Sequence, residues 1–163
     1  MRNLAGRVLI SAAAVAAVLL IGGCASGAAS RPAAAPAPPP DPPTATALLA
    51  VAVAFNHDYD TGDYGPVWDR WDARSQAIIS RAEYIHRHED CRTQQPLSRT
   101  ESDSPGPRGA WLVNYEIGGQ QLTDYWFYAH GRWVFDLVLS NPDAVRLYRM
   151  SPSQYVAAVG CAY

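Results

Sequence analysis

Asp124 is the residue whose position most invites chemistry. Residues 111–117 and 121–129 alternate between apolar and polar, and Gly118-Gly119 between them is a two-residue hairpin turn. That turn sets residue 113 against 124, 115 against 122 and 111 against 126. His130-Gly131 is a second tight turn, setting 124 against 137, 126 against 135 and 128 against 133. One sheet face then holds Trp111, Val113, Tyr115, Ile117, Leu122, Asp124, Trp126, Tyr128, Trp133, Phe135, Leu137 and Leu139. Eleven of these twelve are apolar or aromatic, so this face meets the helices and Asp124 is the exception. A carboxylate there must find a partner or take up a proton, because burying it unpaired is costly. Three readings stay open. Asp124 bonds to Tyr115, Tyr128, Trp126 or an arginine from a helix; or it holds or protonates a ligand; or a bulge turns it outward. The catalytic candidate is Asp124, and the ligand-binding candidates are Asp124, Tyr115, Trp126 and Tyr128.

Other groupings are weaker. His86, His88 and Glu89 crowd one helix, but metal ligation along a helix wants histidines at i and i+4, so a solvated helix end is expected. His57 and Asp58 are adjacent in a helix and point apart. There is no Gly-rich phosphate loop, Cys-x-x-Cys or Gly-x-Ser-x-Gly. No metal and no cofactor are expected.

The elements that position Asp124 follow from periodicity. Thr44 or Thr46 caps a helix in which Leu48, Val51, Phe55 and Tyr59 share one face, and Thr61-Gly62 stops it. Asp63 caps a second helix with Pro66 in its first turn and Val67, Trp68, Trp71 and Ile78 on its apolar face. Ser80-Arg81-Ala82-Glu83 is a capping box opening a third helix toward Cys91. The strands are 111–117, 121–129 and 132–139, with 97–101 as an edge strand before them. Asn141-Pro142 and Ser151-Pro152-Ser153-Gln154 open two short helices, the second stopped by Gly160. Helices followed by an antiparallel meander predict an α+β fold.

This order resembles the NTF2-like superfamily, which includes ketosteroid isomerase, scytalone dehydratase and the SnoaL-like proteins. The resemblance covers residues 44 to 139 and is carried by Phe55, Tyr59, Gly62, Asp63 and Tyr64, then Val67-Trp68, and the Gly131-Arg132-Trp133 hairpin. It implies a cone in which helices lie across a curved sheet and often enclose a pocket. It also implies a sheet face that is half solvated or forms a homodimer, and an acid–base role for a pocket residue such as Asp124.

The N-terminus supplies an address. Arg2 and Arg7 precede an apolar run from Val8 to Ile21, 14 residues long. That is short for a spanning helix, which needs ~20, and suits a signal peptide. Ile21-Gly22-Gly23-Cys24 resembles the lipobox of bacterial lipoproteins, which implies cleavage after residue 23 and acylation of Cys24. Residues 24–43 hold seven prolines and read as a tether reaching at most about 60 Å. All seventeen aromatic residues lie beyond position 54, so the folded domain is placed at 44–163. In an exported chain, the two remaining cysteines, Cys91 and Cys161, predict a disulfide, stabilising by roughly 4 kcal/mol in the chain-entropy model.

Composition narrows function further. The 163 residues carry 17% charged side chains and a formal net charge of −2, and all 13 cations are arginine. With its alanine and proline content this resembles a GC-rich, actinobacterial-like genome. Removing residues 1–23 leaves 11 arginines against 15 acidic residues, so there is no charge reason to bind nucleic acid. The expected function is that of an extracytoplasmic, membrane-anchored, noncatalytic domain binding a hydrophobic small molecule or an envelope protein. The alternatives are an isomerase or dehydratase using Asp124, and an accessory subunit with a filled core.

Overall fold

Capping residues open most of the helices. The computed structural model describes residues 39–91 and 97–161; the leader, Cys24 and most of the proline-rich stretch lie outside them. Helix α1 is Ala45–Thr61, with the Thr44 hydroxyl accepting from the Ala47 N–H at 3.2 Å. Gly62 ends it in the left-handed region at φ 86°. Leu48, Ala52 and Phe55 form its buried stripe. Helix α4, Arg81–Asp90, starts where the Ser80 hydroxyl accepts from the Glu83 N–H. Between them, the single helix expected after Asp63 is two short ones, α2 (Tyr64–Asp69) and α3 (Ala73–Gln76). The break has a cause. Trp71 leaves the helix to bridge Phe135, whose N–H donates to Arg70 O and whose O accepts from Asp72 N. Asp72 then caps α3 through the Ser75 N–H.

The sheet is antiparallel with order β1-β2-β3-β4, over Ser98–Pro105, Trp111–Ile117, Gln120–Ala129 and Arg132–Phe135. The β2–β3 register pairs Trp111 with Trp126, Val113 with Asp124 and Tyr115 with Leu122, as the Gly-Gly turn predicts. Gly118 and Gly119 both have positive φ, 58° and 81°, the left-handed geometry of that turn. Edge strand β1 is longer than expected, with an irregularity between Thr100 and Ser102. Together these elements make an α+β fold.

Strand β4 stops four residues early. Asp136 accepts from the Leu139 N–H and opens a helical turn, α5 (Leu137–Ser140). Arg74 binds the same carboxylate, and the Ser75 hydroxyl accepts from the Leu137 N–H. Leu137 therefore stays buried without being a ladder partner of Asp124, and Leu139, expected inside, is 43% exposed.

The core lies between the inner sheet face and the helices. Phe55 meets Trp126 edge-on at 5.2 Å and Phe135 at 4.9 Å. The described fold reaches back beyond Thr44. The Asp41 carboxylate accepts from Arg70 at 2.6 Å and from the Trp133 N–H at 3.0 Å, and Trp133 Nε1 donates to Pro42 O.

Helices α6 (Pro142–Tyr148) and α7 (Pro152–Val159) are joined to α4 at two points. Cys91 is bonded to Cys161, with Cα atoms 5.3 Å apart. Buried Arg87 donates to Glu83 at 2.7 Å and to the carbonyls of Leu147, Tyr148 and Met150, and lies 5.1 Å over the Tyr155 ring. It adds a donor to carbonyls at the end of α6, where the helix leaves its last C=O groups short of N–H partners. Arg87→Ala should lower unfolding free energy by about 3 kcal/mol in urea, with the denaturant slope unchanged. A loss below about 1 kcal/mol would show that water replaces the guanidinium there.

Candidate functional site

Between the helices and the inner sheet face lies a cavity of about 420 Å³ that opens to solvent. Its sheet wall is Tyr115, Ile117, Leu122, Asp124 and Phe135, followed by Leu137. Helix α1 contributes Phe55, Asn56, Tyr59 and Asp60, and α4 contributes Tyr84, His88 and Cys91. Helices α6 and α7 supply Leu147, Tyr148, Tyr155 and Val159. The disulfide and Arg87 thus hold a wall of the cavity as well as the C-terminus.

Asp124 sits in this wall at 6% exposure. It is there because residues alternate faces along a strand and the Gly-Gly turn fixes the register; a slip of one would send it outward. Burial pushes its carboxyl up to about 7, and a hydrogen bond from the Tyr115 hydroxyl pulls modestly the other way. No arginine of the described residues pairs with it. The protonated and ionised forms are therefore both populated near neutrality.

Opposite chemistry arises on α4. Tyr84 and His88 are four residues apart and share its inward face. His88 Nε2 lies 2.8 Å from Tyr148 Oη, and Tyr84 also hydrogen-bonds with Tyr148. The rings of Tyr84, Tyr64 and Tyr59 stand 4.5, 4.6 and 5.5 Å from the imidazole. Burial lowers His88 to about 4, so the ring is neutral at ordinary pH. Burial also pushes Tyr59, Tyr84, Tyr115 and Tyr148 above the usual phenol range, which keeps their protons on.

Of the residues read from sequence, Asp124 and Tyr115 line the cavity. Trp126 is fully buried against Phe55 and does not line it. Tyr128 is also off the cavity; its hydroxyl donates to Asp41 O at 2.6 Å. His86 is exposed and faces Asp90 at 3.3 Å, whereas His88 is buried rather than solvated. The reason is the helical pitch: two residues separate opposite faces, and the face shared by Tyr84 and His88 was the overlooked signal. Trp71, also on the cavity wall, has an indole N–H without a hydrogen-bond partner among the described residues. No group of three or more His, Cys, Asp or Glu among the described residues is placed to hold a metal, and no described helix is long and apolar enough to cross a membrane.

The raised carboxyl has a stability consequence. The unfolded chain releases the Asp124 proton near 3.8, while the folded chain keeps it until about 7. The folded state binds more protons in that window, so stability falls as pH rises through it and stays lower above it. Asp124→Asn removes the penalty. Its melting temperature should exceed that of the wild type at pH 8, with the gain shrinking to nothing near pH 4, as followed by circular dichroism. A variant less stable than the wild type at both pH values would mean the carboxylate is compensated inside.

Comparison with protein-family models, curated proteins and solved structures finds no match for this chain.

Proposed function

We propose that the chain is an exported lipoprotein, held on the outer side of the cytoplasmic membrane by acyl chains on Cys24, whose domain binds a hydrophobic small molecule. In this reading residues 1–23 are removed as a signal peptide, the proline-rich stretch is a spacer, and the helices and sheet form an NTF2-like cone. The observation that carries the ligand reading is the cavity. Its volume, about 420 Å³, falls in the ~300–1,000 Å³ range of small-molecule sites. Its wall is largely aromatic and aliphatic, with Asp124 and Tyr115 as polar handles. An accessory subunit with a filled core would have no use for such a space.

A second reading is favoured by the burial of Asp124 in the cavity wall, which raises its carboxyl toward neutrality. A carboxyl at about 7 suits an acid–base residue, and an isomerase or dehydratase would use it to move a proton along a bound substrate. This reading requires turnover that Asp124→Asn abolishes, whereas the carrier requires none.

Two measurements test the carrier. Full-length protein extracted in a mild nonionic detergent should show, in native mass spectrometry, a small-molecule adduct that Ala144→Trp removes by filling the cavity. An adduct equally abundant in that variant places the ligand elsewhere. Cys24→Ala should lose incorporation of an alkynyl palmitate label; retained label would contradict the anchor.

A further inference from the structure

The cavity wall is unusual in its charge. Among the described residues lining it are three carboxylates, Asp60, Asp124 and Asp143, and no arginine, in a chain whose 13 cations are all arginine. Eight aromatic side chains share that wall. We infer that the cavity is built for an organic cation, a hydrophobic amine or quaternary ammonium whose positive centre rests against the Asp124 carboxylate among aromatic faces. This rests on reading the cavity as a ligand site.

Three observations point to a cation rather than a neutral or anionic ligand. First, Asp124 is 6% exposed and its partner is the neutral hydroxyl of Tyr115, so its charge is uncompensated among the described residues. A cationic ligand would supply the missing partner, a neutral one would leave the desolvation cost in place, and an anion would add repulsion. Second, the rings of Trp71, Tyr84 and Tyr148 pack within 4.7 to 5.9 Å of one another, giving a continuous aromatic surface. Such faces carry negative potential and attract alkylammonium groups, which are weakly hydrated when fully substituted and so enter an apolar site at low cost. Third, the other charges near the wall are neutral or already engaged. His88 is uncharged in its tyrosine surroundings. The nearest buried cation, Arg87, sits over the Tyr155 ring and is neutralised by Glu83 at 2.7 Å.

The affinity should follow the charge on Asp124. Tyr115 on β2 hydrogen-bonds with it, and the cavity wall it shares carries the phenols of Tyr59 on α1, Tyr84 on α4, Tyr148 on α6 and Tyr155 on α7, all protonated at neutral pH. Beside them are neutral His88, the Asp60 carboxylate held by Ser98 N–H and Oγ at 2.9 and 2.7 Å, and exposed Asp143 beside Arg146. Burial holds His88 neutral and keeps the protons on these phenols between pH 6 and pH 8, so Asp124 is the group whose charge sets the pH dependence of a permanently charged ligand.

The test uses the full-length protein in nonionic detergent and two probes of equal shape: benzyltrimethylammonium and its neutral carbon isostere, neopentylbenzene. Binding is read by intrinsic tryptophan fluorescence, because Trp71 lines the cavity. The cation should bind at least about tenfold more tightly than the isostere at pH 8. Its affinity should fall about tenfold from pH 8 to pH 6, as a carboxyl titrating near 7 takes up its proton, while that of the isostere should not change. Asp124→Asn should reduce the cation's affinity by about tenfold or more and leave the isostere unchanged. Equal or tighter binding of the isostere overturns the cation inference and leaves the ligand-binding reading standing. So does cation binding that is indifferent to pH in the wild type. No binding by either probe overturns both.

Discussion

A carboxylate without a cation beside it is unstable inside a protein, and among the described residues the inner face of this sheet carries one. Asp124 cannot avoid that position. The pleat sends alternate side chains to opposite faces, and the Gly118-Gly119 turn pairs Asp124 with Val113. Turning it outward would turn Trp126 outward with it, and Trp126 is fully buried in the core. The charge is therefore a consequence of burying the tryptophan on the same strand face. The cavity beside Asp124, the Tyr115 hydroxyl and the raised titration point are three responses to one constraint.

The wall opposite is held by connections distant in sequence. Helices α6 and α7 are short, and helices of that length gain most of their stability from packing. Arg87 ties the carbonyl end of α6 to α4 and presents its guanidinium to the Tyr155 ring on α7. The Cys91–Cys161 bridge closes the same junction covalently. One face of α4, continued by Cys91, thus carries the cavity-lining Tyr84 and His88 together with both C-terminal fastenings, Arg87 and the disulfide. Arg87 is tolerated at this buried position because Glu83 and three carbonyls satisfy it, while no arginine is among the described residues that line the cavity.

Much of this was legible in the sequence, and the parts that were not share a physical cause. The β2–β3 register followed from a period of two and a two-residue glycine turn, which are local signals. The helix starts at Thr44 and Ser80 were equally local. Strand β4 was read too long because apolar residues continue through Leu139, whereas the chain turns at Asp136, which is held by Arg74 across 62 residues. The second helix was read as continuous because nothing local reveals that Trp71 bridges Phe135. At the site, Asp124 and Tyr115 were visible by alternation. Tyr148 and Tyr155 were not, because their place on the wall depends on how the C-terminal helices fold back over α4.

The account stands on the state of one carboxyl group. Its most direct test is a carbon-13 NMR titration of the Asp124 side chain in the disulfide-bonded protein, with the resonance assigned by its loss in Asp124→Asn. The account predicts a midpoint of about 7, well above the ordinary 3.8. A midpoint at or below the ordinary value would mean that solvent or a cation already compensates the carboxylate, and the cavity would lose its anionic handle.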